Sequence, residues 1–306
     1  MSNKTWTIEN IPDLSGKVII VTGGNSGLGY ESVKAFARKG AEVILACRNT
    51  DKGHTAKAEI GQTKGNIQVM ELDLMDFASI KAFSDTFKKR YKKLDVLLNN
   101  AGIMTTPYFL TKDGLEAQNG TNHFGHFALT AHLSDTLKDS SGSRVVNVSS
   151  LAHKNGNMDF DNLLFEEGKD YSPLKSYGRS KLANLLFTYE LQRQFEANNV
   201  NSIAVAAHPG ASQTNLARHL EKKWWFMFVR PLFMLMTQSQ ERGALPQIRA
   251  SVDPAVKGAD YYGPGGMGEM RGDPVKVKST DAARSQEDAA TLWKVSEELT
   301  HTQFQF

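Results

Sequence analysis

Thr22-Gly23-Gly24-Asn25-Ser26-Gly27-Leu28-Gly29 follows a short apolar run, Val18 to Val21, and leads directly into a stretch with Val33, Phe36 and Ala37 at helical spacing. A turn pressed against a pyrophosphate leaves no room for Cβ atoms, and the helix behind it presents unpaired amides and the positive end of its dipole. A glycine cluster alone would also suit a plain structural turn. The strand before it, the helix after it and a second strand at the expected distance point instead to dinucleotide binding. Gly23, Asn25, Ser26, Gly27, Leu28 and Gly29 are therefore candidate cofactor contacts.

Working outward, β-branched runs alternate with longer amphipathic stretches, the pattern of parallel strands joined by crossover helices. Strands are expected at Val18 to Val21, Glu42 to Ala46, Ile67 to Glu71, Val96 to Leu98, Arg144 to Val148 and Ser202 to Ala207. Helices are expected at Gly27 to Arg38, Thr50 to Gly61, Phe77 to Tyr91, Leu115 to Leu137 and Ser176 to Phe195. Further on, Thr214 to Thr237 and Gln240 to Ser251 have helical patterns, and Tyr261 to Gly266 forms a last strand leaving through a glycine turn. Ser285 with Asp288 has the form of a cap opening a final helix to Leu299. The fold class is α/β, a doubly wound parallel sheet of Rossmann type. No linker divides the chain, so residues 1–306 form one domain with a small helical substrate region, a lid at about 211–250.

Composition sets outer bounds. A chain of 306 residues, 40% hydrophobic and 23% charged, buries a sizeable core, and a formal net charge of +3 is too small to call for nucleic acid. The densest basic run, Lys88, Lys89, Arg90, Lys92 and Lys93, closes an expected helix, where cations complement the dipole. The single cysteine, Cys47, rules out an internal disulfide and fits a reducing, cytoplasmic setting. Met1 to Gly16 lacks a secretory pattern. Trp224 to Met236, the most apolar run, is short for a membrane span and carries Arg230 and Pro231, so no transmembrane segment is expected. The eight histidines are scattered; His123 and His126 share a helix face without a third ligand and are expected to be packing or surface residues, with no metal.

The end of the second strand bears on the choice of dinucleotide. Ala46-Cys47-Arg48-Asn49 offers no carboxylate for ribose hydroxyls, whereas Arg48 offers a planar, permanently charged fork suited to a 2′-phosphate. NADP is therefore expected in preference to NAD, which remains compatible; a solvated surface arginine is the alternative for Arg48. Asp73, with Leu74 beside it, lies beyond the third strand where the adenine edge would be, or caps the helix ahead of Phe77. Asn100, Ala101 and Gly102, in Asn99-Asn100-Ala101-Gly102, close the fourth strand at the edge of the sheet where ligands bind, and their small size suits close cofactor approach or a simple turn.

Tyr177 and Lys181 stand one turn apart on an expected helix, so their side chains share a face. A free phenol titrates near 10; a neighbouring ammonium favours the phenolate, and lowering the pKa by about three units takes roughly 4 kcal/mol. Taken alone, the pair would also suit an ordinary surface.

The turn from Thr22 to Gly29, Asn99 to Gly102, Asn147-Val148-Ser149-Ser150, Tyr177-Gly178-Arg179-Ser180-Lys181 and Pro209-Gly210 together resemble the short-chain dehydrogenase/reductase family, in that family's order, over about Lys17 to Gly272. Asn122-His123-Phe124-Gly125-His126-Phe127, Ser180 to Phe187, Tyr262-Gly263-Pro264 and Glu269-Met270-Arg271-Gly272 look most like its retinol-dehydrogenase and WW-domain-oxidoreductase branch. The resemblance implies Tyr177 as proton donor or acceptor, Lys181 lowering its pKa and holding the nicotinamide ribose, Ser150 orienting the substrate oxygen, and Asn122 holding a relay water. It implies Pro209 and Gly210 beside the cofactor and Thr214 on the nicotinamide carboxamide, although Thr214 would also serve as a helix N-cap. Ser149 is left as the structural hydroxyl. The stretch from Leu151 to Ser176 is longer than most relatives carry between serine and tyrosine.

Substrate choice is expected to come from the region after Pro209-Gly210. Trp224, Trp225, Phe226, Phe228, Leu232, Phe233 and Met234 suit an apolar lid over a hydrophobic carbonyl or alcohol: a retinol, steroid, terpenoid, aldehyde or ketone. Core packing, a homodimer interface or peripheral membrane contact would use the same residues. Two rival functions are a non-catalytic NADP-binding sensor or scaffold, which the intact Ser150, Tyr177 and Lys181 oppose, and a sugar epimerase or dehydratase, whose glycine spacing and longer C-terminal domain are not those of this chain.

Overall fold

The computed structural model describes residues 5–212 and 237–306. Eight strands form one sheet in the order β3-β2-β1-β4-β5-β6-β7-β8. They are β1 Val18–Thr22, β2 Glu42–Cys47, β3 Asn66–Glu71, β4 Val96–Asn99, β5 Ser143–Val148, β6 Ser202–Ala207, β7 Tyr261–Gly266 and β8 Arg271–Lys276. The first seven pair in parallel, and β8 returns antiparallel on β7. The helices are α1 Gly27–Arg38, α2 Thr50–Ile60, α3 Phe77–Arg90, α4 Ala117–Asn119, α5 Gly125–His132, α6 Ser134–Asp139, α7 Pro173–Ala197, α8 Gln240–Val252 and α9 Gln286–Thr300.

The central strands are covered on both faces, which is why β1 is an unbroken run of buried residues instead of an alternation. Successive side chains still point to opposite faces. Ile19 and Val21 join Val33 and Phe36 of α1 and Ala244 and Ile248 of α8, whereas Ile20 joins Ile80 and Phe87 of α3, Phe127 of α5 and Leu191 of α7. Truncating a fully buried phenylalanine such as Phe36 would cost about 3–5 kcal/mol. The strand order reverses between β1 and β4, and the turns leaving both strands meet there at the carboxyl edge, opening the crevice in which such sheets bind ligands.

Four differences from the sequence expectation have physical causes. The helix expected over Leu115 to Leu137 is broken. α4 runs into a π-helical turn, Gly120–Phe124, before α5, and Leu133 separates α5 from α6. Gly120 and Gly125 allow this course, since a Cβ on either would fall 2.5 Å from Thr111 Cγ2 or from the Leu74 carbonyl. Strand β8 has no strand signal in the sequence because Gly272, Asp273 and Pro274 mark a loop; an edge strand tolerates them, and Arg249 Nη1 donates to the Pro274 carbonyl at 2.7 Å. The helix ahead of Phe77 is capped by Asp76, which accepts from the amides of Ala78 and Ser79, and not by Asp73. Finally, α8, the distal part of the expected 211–250 lid, is a core helix packed on α1 and the sheet. Thr214 and the apolar run Trp224 to Met236 lie outside the described residues.

Candidate active site

A cleft of about 340 Å³ opens at the reversal of strand order, lined by the turn from Thr22 to Gly29, the end of β2, the Leu72 to Met75 segment, Asn100 to Ile103, and Tyr177 with Lys181. Its floor is built backward from one hydroxyl. Thr22 Oγ1 accepts the amides of Asn100 and Ala101, each at 2.9 Å, and Asn100 Nδ2 donates to the Thr22 carbonyl at 2.7 Å. Gly23, at φ 66°, and Gly29 allow this closeness. A Cβ on Gly23 would meet Ala101 at 3.1 Å and one on Gly29 would meet the Gly23 carbonyl at 2.4 Å. The first turn of α1 has no side-chain cap and no acidic residue, so its amides are left for an anion. Gly23, Ser26, Gly27, Leu28 and Gly29 line the cleft, whereas Asn25 lies on the same turn outside its lining.

At the adenosine end, Arg48 is exposed and touches Met75 Sδ through Nη1 at 3.7 Å. Among the described residues no carboxylate forms an ion pair with it. Asp73 and Leu74 also line the cleft, and Asp73 Oδ1 accepts from the Met75 amide at 3.0 Å. The glycine cradle, the bare helix start and the free cation at the end of β2 together fit a dinucleotide with a phosphorylated ribose.

At the other end, α7 begins with Pro173 at its first turn and runs through the core, which places Tyr177 and Lys181 on one face looking into the cleft. Lys181 is 4% exposed, and burial pushes its ammonium down to about 8. Its Nζ donates to the Val148 carbonyl at 3.0 Å and lies 5.7 Å from the centre of the Tyr177 ring. Burial raises the Tyr177 phenol above its ordinary value, and a hydrogen bond with Ser150 works against that rise. Helical proximity to a lysine does not by itself acidify this tyrosine, because desolvation outweighs it and the ammonium is held by β5.

Ser149 and Ser150 have different partners, and it is Ser149 that lines the cleft. Ser149 Oγ donates to the Lys181 carbonyl at 2.8 Å, whereas half-buried Ser150 caps a short 3₁₀ turn, Leu151–Asn155, through the Ala152 amide. Asn122, in the π turn, is held at both ends of its side chain. Oδ1 accepts from the Ile103 amide at 2.9 Å, and Nδ2 donates to Ser180 Oγ at 2.9 Å and to the Ile103 carbonyl at 3.0 Å. A Cβ on Gly102 would fall 3.0 Å from Asn122 Oδ1 and 3.6 Å from Lys181 Nζ, so these groups crowd one spot. Pro209 lines the cleft, and Gly210, at φ 64°, lies beneath Met270, where a Cβ would be 2.4 Å from that carbonyl. Asn122, Ser150 and Gly210 border this centre without lining the cleft itself.

Residues 17–162 match the family described as short chain dehydrogenase. The chain is 41% identical to retinol dehydrogenase 11 of Homo sapiens over 94% of its own length and 86% of that protein's. It belongs to the short-chain dehydrogenase/reductase family. It is accordingly an oxidoreductase acting on CH–OH and C=O groups with a nicotinamide cofactor. The chain is also 38% identical to the WW domain-containing oxidoreductase of Gallus gallus, over 95% of this chain and 70% of that one. The crystal structure of an uncharacterized protein from Mycobacterium paratuberculosis superposes with a TM-score of 0.83 at 39% identity, covering 99% of this chain and 100% of that one.

Within this short-chain dehydrogenase, one floor-forming residue carried no motif signal. Gln247 of α8 is buried and donates through Nε2 to Asn100 Oδ1 at 3.0 Å and Ser32 Oγ at 2.9 Å, fixing the amide that closes the cleft floor. A glutamine on an otherwise apolar helix face was its only trace. Asn99 points away from the cleft and donates to Asn147 Oδ1 at 2.8 Å, and Asn147 donates onward to Thr188 Oγ1 at 3.0 Å, tying β4, β5 and α7 together. His123 and His126 are both buried and neutral, pushed down to about 3 and about 4 by desolvation. Among the described residues no group of His, Cys, Asp and Glu could hold a metal ion, and no helix is long and apolar enough to cross a membrane.

Proposed function

We propose that the chain interconverts a hydrophobic carbonyl compound and its alcohol with NADP(H), Tyr177 acting as the acid/base. The observation that carries this is the convergence of the Thr22 to Gly29 turn, Arg48, Tyr177 and Lys181 on one cleft. Arg48 supports the phosphorylated cofactor, since its fork can make two charge-assisted hydrogen bonds to a 2′-phosphate. Gly23, Ser26 to Gly29, Asp73, Leu74, Asn100 to Gly102, Pro209 and Gly210 are assigned to hold the rest of the dinucleotide. Asn25 and Thr214 are kept from the sequence motifs. The cofactor supplies the hydride.

In the reductive direction Tyr177 gives its hydroxyl proton to the substrate oxygen, and Ser150 donates a hydrogen bond to the same oxygen. Burial favours the protonated phenol at rest, which suits a proton donor. The phenolate left behind gains from the Lys181 ammonium on the same helix face. Asn122 Oδ1 accepts a single hydrogen bond, so a relay water would use its remaining lone pair.

An apolar substrate is supported by relatives named retinol dehydrogenase and by the aromatic composition of Trp224 to Met236, assigned to the substrate region. The free, buried Cys47 suits a reducing, cytoplasmic setting. The test is NADPH oxidation measured against a panel of aliphatic, retinoid and steroid carbonyls, with Tyr177→Phe as control. Turnover lost at least a thousandfold in Tyr177→Phe, with NADPH binding kept, is expected. Tight NADPH binding without turnover of any carbonyl or alcohol would select the sensor or scaffold instead.

A further inference from the structure

His126 is 2% exposed, lies below the cleft instead of in it, and takes no part in the proposed proton transfer. Both of its ring nitrogens are nevertheless engaged. Nδ1 is 3.1 Å from the Asn122 carbonyl oxygen and Nε2 is 2.9 Å from Thr22 Oγ1. The carbonyl can only accept, so Nδ1 carries the hydrogen. Burial holds the ring neutral, down to about 4, so Nε2 is an acceptor and the Thr22 hydroxyl donates to it. The alternative acceptor for that hydroxyl, the Leu98 carbonyl, is farther away at 3.3 Å.

Fixing the hydroxyl proton on the histidine side orients the lone pairs of Thr22 Oγ1 toward the amides of Asn100 and Ala101. Those amides shape the floor on which the cofactor would lie. The other end of the imidazole grips the π turn that carries Asn122, whose side chain in turn holds Ile103 and Ser180, one residue before Lys181. We infer that His126 is a positioning residue: its Nδ1–H tautomer ties the Asn122 turn, and through it the catalytic helix, to the cofactor-binding turn at Thr22. This rests on the function proposed above for its consequence in catalysis, but the linkage itself does not.

The experiment compares His126→Phe, His126→Gln and His126→Asn with the full-length wild-type protein. A glutamine amide can donate at one end and accept at the other, as the imidazole does; phenylalanine can do neither, and asparagine is too short to span both partners. Amide hydrogen exchange is expected to speed at least tenfold at Asn100 and Ala101 in His126→Phe and His126→Asn, with strand β5 unchanged, and to stay within about threefold of wild type in His126→Gln. The NADPH dissociation constant, read by fluorescence, is expected to rise about tenfold in the same two variants and kcat to fall, with KM for the carbonyl unchanged. Unchanged exchange at Asn100 and Ala101 in a folded His126→Asn, or acceleration equal at every amide, overturns the inference. Should His126→Phe fail to fold, the Gln and Asn pair decides alone. Wild-type protein that bound no NADPH would sink the proposed function, while the exchange pattern would still decide the linkage.

Discussion

Lys181 Nζ and the Val148 carbonyl oxygen lie 3.0 Å apart, so the buried ammonium is anchored to strand β5 while its stem passes the Tyr177 ring. Burial brings this lysine from 10.5 down to about 8. An unfolded chain keeps the proton up to its ordinary pKa, whereas the folded protein releases it near pH 8. Between those values the unfolded state binds more protons, so stability must rise with pH there. Relative to Lys181→Met, which has nothing to titrate, wild-type stability is expected to climb by roughly 3 kcal/mol from pH 8 to pH 10.5 and to run parallel below pH 8. Urea unfolding of both proteins across that window checks it; a constant difference from pH 7 to 10.5 would show that Lys181 is not desolvated.

Arg48→Ala removes the free cation at the end of β2 without touching the glycine turn or the catalytic helix. Two charge-assisted hydrogen bonds to a 2′-phosphate imply a loss of about ten- to a hundredfold in NADPH affinity, with NADH affinity moving less than about threefold. Michaelis constants for the two cofactors measure this. An unchanged NADPH preference would assign Arg48 to the solvated surface.

Two glycines of the cofactor turn separate steric need from backbone strain. At Gly29 a Cβ would sit 2.4 Å from the Gly23 carbonyl and 2.6 Å from Asn100 Nδ2, so Gly29→Ala must push the turn open. At Gly27 no protein atom lies within 4 Å of a Cβ, but φ is +58°, so Gly27→Ala costs the free protein only the left-handed conformation, about 1 kcal/mol. Gly29→Ala is expected to destabilise the free protein by about 3 kcal/mol, and Gly27→Ala by about 1 kcal/mol. Urea unfolding of the two proteins without cofactor ranks them; equal losses would mean that closure onto Asn100 is not what the turn requires.

The sheet was legible because each central strand is a short apolar run and each crossover helix keeps an apolar stripe, and both signals are local. The glycine turn and the Tyr177–Lys181 pair were legible because backbone approach and helical spacing restrict residue choice within a few positions. The contacts that join segments far apart in the chain were not. Gln247 reaches Asn100, and His126 reaches Thr22, through ordinary polar residues on buried helix faces, where period and composition predict apolar ones. The direction of the Tyr177 shift is not legible for a related reason. Helical spacing gives the distance to a charge but not the burial that opposes it, nor the carbonyl that claims the ammonium. The break at Gly120–Phe124 escaped because its glycines answer to Thr111 and to Leu74, outside the helix itself.

The chain's C-terminal end closes over the catalytic helix with aromatic rings. Phe304 lies 4.5 Å from Trp293 of α9, 5.2 Å from Phe127 of α5 and 6.3 Å from Phe187 of α7, centre to centre. Phe304 is half-buried, so truncation forfeits part of the roughly 3–5 kcal/mol that a fully buried phenylalanine loses; about 2 kcal/mol is expected for Phe304→Ala. Phe304→Leu keeps most of the apolar area and should lose about half as much. Phe304 does not line the cleft, so kcat/KM at a temperature where both variants stay folded should match wild type. Urea midpoints together with steady-state kinetics test both halves. A loss of turnover without a loss of stability would mean that this cover acts on the position of α7, and with it Tyr177, and not on the fold as a whole.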